Sequence, residues 1–395
     1  MKIIEINKSI ERGTFNLQSN TTVLLKNGVT VSASLNVDDF IADESIFKDT
    51  CGNELGRSLF YAKDCENITL LGEPNSIIDG KGYSWERGAS KRPSLLRFVN
   101  CKYVTLKNLS LRNSPCWCVH LQNCEHVNIE GLSIISDSNS NNDGIDIDGC
   151  SFVTVDGCYI ENGDDAVVIK STKNVLSKDV TIRNCKLKTL GAGLKIGTET
   201  VGDIFNVKFI DNVIIKANGC AIKIVPTDGS NVDGVCVKNV VAKEVTGPIF
   251  VANGTRMRKY YTDQIKNTFS SISNIIIDNF VAEKVYNRSE EVVDKAKGVV
   301  FFSGTKQNRI QNVTVKNCIF NMPSLLSPDT DFTVEEMSGQ YPEYYCLGTA
   351  PAYGFYVRHT DNFTEENNAF NIDKKDVRKK IVLEDVNTLR RVLIK

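Results

Sequence analysis

The chain has 395 residues, 41% of them hydrophobic, so it is long enough to bury a large core. Its 47 basic and 48 acidic side chains give a net charge of −1, which argues against a protein built to bind nucleic acid or an anionic membrane. The sequence contains neither a signal-peptide pattern nor an apolar run of about 18 residues. As written it predicts a cytoplasmic protein without membrane spans, or a secreted one if a signal peptide has been removed.

The thirteen cysteines predict free thiols rather than disulfides. Their number is odd, the chain is long, and no CxxC pair appears, whereas disulfide frameworks are typical of small secreted domains. We therefore expect reduced, mostly buried cysteines.

A short pattern repeats along the chain from about residue 61 onwards. Each copy begins with a β-branched residue, alternates between apolar and polar positions, and has Asn, Gly or Asp at its fifth position. The first six copies start 23, 26, 27, 27 and 28 residues apart. The eight copies are Val104–Asn108, Val127–Gly131, Val153–Gly157, Val180–Asn184, Val207–Asp211, Val235–Asn239, Ile275–Asn279 and Val313–Asn317.

This repeat predicts an all-β fold, a parallel β-solenoid in a single domain over residues 1–395. Alternating strands that end at a residue tolerant of a left-handed turn fit a coil that bends at a fixed point. A leucine-rich repeat needs a leucine framework and a helical repeat needs a 3.6-residue period, and neither is present. We expect an N-terminal cap over 1–60, main coils over 61–320, an insertion over 321–360 and a C-terminal coil over 361–395.

Cysteine positions support this register. Cys65, Cys101, Cys124 and Cys150 each lie three residues before a strand start, and equal offsets stack side chains in columns across coils. A second set at a shared offset of five residues after a strand start comprises Cys158, Cys185 and Cys318. Both sets are predicted to pack inside the coil.

Three carboxylates lie about one repeat apart, in Asn142-Asp143-Gly144 and Gly163-Asp164-Asp165. Paired carboxylates in unequal protonation states suit acid-catalysed cleavage of a glycosidic bond, although a calcium site or solvated turns also fit this pattern alone. His120, Asp143 and Lys223 each lie 16 residues after a strand start, and Asp165 and Ala192 each lie 12 after one. These offsets predict a groove along one side of neighbouring coils.

The sequence resembles the polygalacturonase family, glycoside hydrolase family 28, whose members are right-handed single-stranded parallel β-helices. Asn141-Asn142-Asp143-Gly144 is similar to the family's Asn-Thr-Asp-Gly motif, with Asn142 in place of Thr, and Gly163-Asp164-Asp165 matches its Gly-Asp-Asp motif. Other similar segments are Ser114–His120, Gly80–Trp85, Gly193–Glu199, Pro248–Val251 and Pro351–His359. An ordered set of this kind is far more specific than one short motif.

The resemblance implies that Asp164 is the general acid, and that Asp143 and Asp165 hold and deprotonate the attacking water with inversion of configuration. The sequence departs from the family's motifs at two positions. Ala192 stands where the family has a histidine, and Ala221 stands where it has the arginine of an Arg-Ile-Lys motif. Loss of that arginine removes a bidentate contact to a uronate carboxylate.

Several further residues are predicted to line the groove and bind the substrate. Lys223, which the family motif retains, and Lys195 supply cationic groups, and Trp117 and His120 form a sugar-binding wall. We expect Arg256 or Arg258 to replace the missing arginine at Ala221. Glu199 and Asp146 are further candidates for support of the groove, with capping of a turn as the alternative for each.

The predicted function is exo-acting, inverting hydrolysis of pectic, uronic-acid-containing oligosaccharides of the galacturonan or rhamnogalacturonan type. The expected partner is the saccharide substrate, with no cofactor, metal ion or nucleic acid. Two alternatives remain: a β-helical polysaccharide lyase that uses calcium with Lys195 or Lys223 as the base, and a non-catalytic carbohydrate-binding solenoid.

Overall fold

The computed structural model describes residues 1–42, 46–261, 268–286, 298–326 and 349–392, together with positions 332, 334, 336, 339 and 341. Within these ranges, 33 strands form one continuous sheet whose pairings are parallel. The chain is therefore a parallel β-helix, as the repeat predicted. In the same ranges no helix has the length and apolar character needed to cross a membrane.

Each coil contributes strands to three faces, here called sheets A, B and C in the order in which the chain passes through them. Sheet A contains Lys2–Ile6, Thr21–Leu25, Glu66–Gly72, Lys102–Lys107, Glu125–Glu130, Ser151–Asp156, Ser177–Arg183, Ile204–Ile210 and Ile310–Lys316. Sheet B contains Ile10–Arg12, Thr30–Ala33, Ile77–Asp79, Ser110–Arg112, Ser133–Ser136, Tyr159–Asn162, Lys186–Thr189, Val213–Ala217, Ile319–Met322 and Ala369–Ile372.

Sheet C carries the residues of most interest below. It contains Phe15–Asn16, Ser58–Lys63, Ser94–Val99, Val119–Gln122, Ile145–Asp148, Val167–Ser171, Leu194–Thr200, Ile222–Pro226, Ile249–Ala252 and Val300–Ser303. Four long strands pass from one sheet into the next, namely Asn231–Val245, Ser271–Ala282, Ala352–Glu366 and Lys379–Val392. Outside the coils lie an antiparallel pair, Phe47–Lys48 with Glu54–Leu55, and two 3-10 turns, Val37–Asp39 and Gly82–Ser84.

The bend between sheets A and B falls where the sequence pattern placed it. All eight fifth-position residues of the repeat have positive φ, from 54° at Asn108 to 63° at Gly131. Asn, Asp and Gly adopt this left-handed conformation most readily. Side-chain amides also link neighbouring turns, as in the 2.8 Å bond from Asn239 Nδ2 to Asp211 Oδ1.

The interior is apolar and includes the predicted cysteine columns. Cys101, Cys124 and Cys150 are fully buried in consecutive coils, and the Cys124 amide donates to Cys150 Sγ at 3.2 Å. Cys158 and Cys185 lie on adjacent coils, while Cys318 lies in a later one. The twelve cysteines within the described ranges are free thiols.

The two ends of the chain were predicted to form an N-terminal cap and, after an insertion, a C-terminal coil. Residues 2–33, inside the expected N-terminal cap, themselves form strands that pair with later coils. At the other end, most of the expected insertion over 321–360 lies outside the described residues. The C-terminal coil ends in the strand Lys379–Val392, which pairs with Ala352–Glu366.

Candidate active site

The acidic motifs lie in two adjacent turns between sheet B and sheet C. Asp143 precedes the strand Ile145–Asp148, and Asp164 and Asp165 precede the strand Val167–Ser171. The Gly144 amide donates to the Asp165 carbonyl, and the Ala166 amide donates to the Ala192 carbonyl, both at 2.9 Å. Asp143, Asp165 and Ala192 therefore occupy equivalent positions in three consecutive coils, which confirms that Asp165 aligns with Ala192.

Asn162 fixes the two turns to each other. Its side-chain amide donates to the carbonyls of Asn142, Asp164 and Asp165 at 2.7 to 2.8 Å. Gly191 allows the backbone of the following coil to approach these turns closely. A Cβ at Gly191 would lie 2.5 Å from the Asp165 amide nitrogen and 2.6 Å from the Asp164 carbonyl carbon. The backbone of the third coil therefore packs directly against both aspartates.

The three motif carboxylates converge. One oxygen of each lies within 4.8 Å of the others. They face a cavity of about 50 Å³, which has room for one or two water molecules. The cavity is lined by Asp49, Thr50, Cys51, Trp117, Asn141, Asp143, Asp164, Asp165, Lys170, Lys195, Thr198, Glu199 and Tyr341.

The three carboxyl groups hold their protons with different strengths. Burial, with the charge of Asp165 next in importance, raises the pKa of Asp164 to about 6. Burial, Asp146 and Asp164 raise the pKa of Asp143 well above its usual range. Burial alone would also raise the pKa of Asp165, but Lys195 and Lys223 outweigh it and lower that pKa. Asp165 is thus the ionised member of the set, whose proton equilibria are coupled.

Lys195 pairs directly with Asp165. Its ammonium contacts Asp165 Oδ2 and donates to the Tyr341 hydroxyl at 2.9 Å. Lys195 and Lys223 are partners in adjacent strands of sheet C, and the Lys223 ammonium lies 5.4 Å from the Tyr341 ring centre. The Ala192 amide adds a 2.7 Å bond to Asp165 Oδ1.

The offset that grouped His120, Asp143 and Lys223 is wrong for Asp143. His120 pairs with Asp146, and the same column continues through Val168 and Lys195 to Lys223. His120 lies 16 residues after Val104, whereas Asp146 lies 19 after Val127, because this coil has a longer turn before Asp143.

The predicted wall of Trp117 and His120 is buried rather than exposed to the groove. His120 is 1% exposed, its Nδ1 contacts Arg97, and its Nε2 lies 3.3 Å from Asp148 Oδ2. Burial and Arg97 lower the pKa of His120 to about 4, so the ring is neutral above that pH. With both ring nitrogens engaged, His120 supports Trp117 from behind, and Trp117 alone lines the cavity.

The two arginines predicted to replace the family arginine have other partners. Arg256 donates to Asp228 Oδ1 and to the Thr198 carbonyl, both at 2.9 Å. Arg258 donates to the Asp49 carbonyl at 2.6 Å. Neither lines the cavity, and Ala221 is packed in the hydrophobic core. Both arginines hold loops beside the groove.

Lys170 is central to the site, although the sequence analysis did not single it out, and Asp146, a predicted support of the groove, is one of its partners. The Lys170 ammonium lies 2.9 Å from Asp146 Oδ1, 2.9 Å from Glu199 Oε2 and 3.8 Å from Asp143 Oδ2. Glu199, a predicted groove residue, is thus part of a buried ion network. The sequence does contain a feature that could have pointed to Lys170. It is the single charged residue of the otherwise apolar Val167–Lys170 segment, which closely follows the Gly-Asp-Asp motif.

A hairpin over residues 47–55 covers one side of the cavity. The Thr50 amide and hydroxyl donate to Glu199 Oε1 at 3.0 and 3.2 Å. Arg92 donates to Asn53 Oδ1 at 2.6 Å and also to the loop that precedes Asp143, through the Ser140 carbonyl at 2.6 Å. No repeat or motif in the sequence marks the hairpin as part of the site.

The family model described as glycosyl hydrolases family 28 matches residues 4–334. The chain belongs to this family. The assignment confirms the predicted family and favours the hydrolase interpretation over the lyase and the non-catalytic solenoid.

Relatives of this family 28 member include plant and bacterial proteins. It is 28% identical over 295 residues to a probable polygalacturonase of Vitis vinifera, with 69% of the chain and 59% of the grape protein covered. It is 28% identical over 331 residues to an endo-polygalacturonase of Pectobacterium carotovorum subsp. carotovorum, with 77% of the chain and 76% of that protein covered. The chain thus spans about three-fifths of the length of the grape relative.

A solved structure supports the fold. The exopolygalacturonase of Thermotoga maritima superposes with a TM-score of 0.68 over 93% of the chain and 84% of that structure, at 19% identity. At this identity the similarity concerns the architecture, and it agrees with the predicted right-handed parallel β-helix.

Proposed function

We propose that this family 28 member is a glycoside hydrolase that releases sugar from the chain ends of pectic, uronic-acid-containing oligosaccharides with inversion of configuration. The observation that carries the proposal is the unequal protonation of Asp164 and Asp165. One has its pKa raised to about 6 and the other has its pKa lowered, although they are neighbours in a single turn. A hydrolase needs one carboxylic acid and one carboxylate at the same bond.

Asp164 is the proposed general acid. Below a pH of about 6 it carries a proton, which it gives to the glycosidic oxygen as the bond from that oxygen to the anomeric carbon breaks. The electron pair of the broken bond stays on the leaving oxygen, and the anomeric carbon becomes positively charged. Asp164 ends the step as a carboxylate.

Asp165 is the proposed base. It is ionised because Lys195 and Lys223 stabilise its carboxylate, so it accepts a proton as water adds to the anomeric carbon. Asp143 lies on the same cavity and shares the task of holding this water. Solvent then restores the starting protonation of Asp164 and Asp165.

The proposal that hydrolysis inverts the anomeric configuration requires a separate argument. Carboxyl groups of inverting enzymes are typically about 6.5–9.5 Å apart, so that water fits between acid and base. Here oxygens of all three groups lie within 4.8 Å, which by this rule alone favours retention. We propose inversion because Asp143 and Asp165 form a second pair of carboxyl groups that can hold water beside the acid, as the family resemblance implies.

A uronate-containing substrate is supported by the cations beside the acids. Lys195 and Lys223 lie side by side in sheet C, and Tyr341 lies against both. Ammonium groups in a poorly solvated groove attract a sugar carboxylate more strongly than they attract a neutral sugar. The names of the grape and Pectobacterium relatives, polygalacturonases, agree with this class of substrate.

Exo action is supported by the hairpin over residues 47–55. Hydrogen bonds from Arg92 to Asn53, from Arg258 to the Asp49 carbonyl, and from Thr50 to Glu199 hold it against the cavity. Phe47 anchors its base with a ring centre 5.7 Å from that of Tyr261. A groove covered on one side admits a chain end more readily than the middle of a polymer.

The test is incubation of the purified protein with polygalacturonate, rhamnogalacturonan and their short oligomers, with proton NMR of the first anomer formed and chromatography of product sizes. We expect release of small sugars from a uronate-containing substrate and a first product of inverted anomeric configuration. Asp164→Asn should retain the wild-type melting temperature and lose about 10²- to 10⁴-fold in kcat. Full activity in a folded Asp164→Asn protein would refute the assignment of the acid, and a retained anomer would refute inversion.

A further inference from the structure

Lys170 is a buried cation to which the mechanism above assigns no step. It lies in the sheet C strand Val167–Ser171 with 3% of its surface exposed. The strand before it supplies Asp146 and the strand after it supplies Glu199, each 2.9 Å from the ammonium. Lys170 therefore joins three consecutive coils through ion pairs.

The surroundings of Lys170 explain why it stays charged. Burial alone would lower its pKa, but Asp146, Glu199 and Asp143 outweigh burial and raise the pKa well above its usual range. The ammonium also lies 3.4 Å from the centre of the Trp117 ring, whose face stabilises a cation and keeps bulk water away. A buried ion held by several partners keeps one geometry, because each lost contact leaves an uncompensated charge.

We propose that Lys170 is a positioning residue that fixes the Asp143 carboxyl group and decides how the three catalytic aspartates share their protons. The proposal rests on the hydrolase function proposed above and assigns to it a residue beyond the acid and base motifs. Its basis is the 3.8 Å separation of Lys170 Nζ and Asp143 Oδ2, together with the two stronger ion pairs that prevent the ammonium from moving away.

Other charged groups around Asp143 are mostly negative. Asp146 lies in the strand that follows Asp143, Asp164 and Asp165 lie in the next turn, and Glu199 and Asp49 line the same cavity. Lys195 and Lys223 act first on Asp165. Besides these carboxyl groups, the described residues that line the cavity include the ionisable groups of Lys170, Lys195, Cys51 and Tyr341, and Lys223 lies against the Tyr341 ring. Lys170 is the cation that acts most strongly on Asp143.

The test is the variant Lys170→Met, which removes the charge and keeps the side-chain length. We expect the alkaline limb of kcat/KM against pH, which Asp164 sets, to move upwards by about one pH unit, because Lys170 also lowers the pKa of Asp164. On the falling alkaline limb kcat/KM should rise about tenfold for a one-unit shift, while KM at the wild-type optimum changes by less than about threefold. A purely structural role would lower activity at every pH and leave the limb in place.

Two further variants keep the test decisive. Lys170→Met combined with Glu199→Gln removes one positive and one negative charge, so the buried network stays balanced, and it should show the same shift. Lys107→Met is the matched control, because its 2.8 Å ion pair with Glu130 lies on the half-exposed outer surface of sheet A, and its pH profile should equal that of wild type. An unshifted limb in either folded Lys170 variant overturns the proposal. Failure of both to fold also overturns it, because Lys170 would then belong to the framework of the fold.

A second readout separates this proposal from the hydrolase function. In protein labelled with ¹³C at the aspartate carboxyl carbons, the Asp143 signal, assigned with Asp143→Asn, should titrate at least about one pH unit higher in Lys170→Met than in wild type. This holds even if wild type cleaves no pectic substrate, in which case the hydrolase function fails alone. Identical Asp143 titrations in both proteins would overturn the role of Lys170 alone.

Discussion

Replacing Lys195 with methionine should displace the whole pH profile of the enzyme towards alkaline values. In the folded protein burial tends to raise the pKa of Asp165, and Lys195 is the first of the two lysines that reverse this tendency. The same lysine also opposes the raised pKa of Asp164. Without it, Asp165 needs a higher pH to ionise and Asp164 keeps its proton to a higher pH, so both limbs of the profile move upwards.

The size of the shift follows from the contact. The Lys195 ammonium is paired directly with Asp165 Oδ2, and the two side chains are only 4% and 9% exposed. An opposite charge at such a distance typically changes a carboxyl pKa by about 1–3 units, which corresponds to about 1.4–4 kcal/mol. The acidic limb, set by Asp165, should therefore move by about 1–3 units, and the alkaline limb, set by Asp164, should move less because the ion pair of Lys195 is with Asp165.

Stability gives an independent measure of the same pair. The lowered pKa of Asp165 stabilises the fold above the unfolded aspartate pKa of about 3.9, and this contribution is lost as pH falls through the folded value. The variant lacks the contribution, so its free energy of unfolding should be lower at pH 7 and should depend less on pH below about 4. Urea unfolding followed by circular dichroism between pH 3 and 7 measures both effects.

Lys188→Met is the control for this prediction. Lys188 forms a 2.6 Å ion pair with Glu161, but its side chain is 44% exposed and solvent screens the interaction. Its pH profile should match wild type. If Lys195→Met folds and its acidic limb stays within about 0.3 pH units of wild type, the reasoning that Lys195 keeps Asp165 ionised is refuted.

Two structural predictions concern how the turns that carry the acids are held. Arg92→Met leaves the Asn53 side chain and the Ser140 carbonyl without their buried donor. Thermal unfolding should therefore show a loss of about 2–5 kcal/mol in stability, and kcat should fall because the loop before Asp143 is held less firmly. Arg183 is half-exposed, so Arg183→Met should match wild type in both measurements. Gly191→Ala places a Cβ 2.5 Å from the Asp165 amide, so it should cost about 1–3 kcal/mol and lower kcat. Gly163→Ala is the control, because a Cβ at Gly163 would lie 3.3 Å from its nearest neighbouring atom. A melting temperature lowered equally in both glycine variants would contradict the argument that the backbone approaches closely at Gly191.

Local, periodic features of the fold could be predicted from the sequence. The bend at each fifth position and the stacking of Cys101, Cys124 and Cys150 follow from short-range patterns that repeat in every coil. The convergence of Asp143 with Asp165 also follows, because their turns are successive copies of one structural unit.

What the sequence did not reveal depends on contacts between distant parts of the chain. The bond from Thr50 to Glu199 joins residues 149 positions apart, and nothing in a hairpin outside the repeat indicates where it will dock. Arg256 and Arg258 were expected near Ala221, but Asp228 and the Asp49 carbonyl bind them instead. His120 was correctly placed in a column with Lys223, yet the Phe47 ring that packs against it comes from a hairpin outside the repeat.

The longer turn before Asp143 shows how this architecture accommodates changes of length. Three additional residues enter the coil between Val127 and Asp146, and yet the strands on either side, Ser133–Ser136 and Ile145–Asp148, keep their pairing with the neighbouring coils. Because each coil pairs only with its two neighbours, an insertion at this corner is absorbed where it occurs. The corner between sheets B and C can therefore diversify in evolution, and be rebuilt by design, to suit other saccharides while the register of the stack is inherited unchanged.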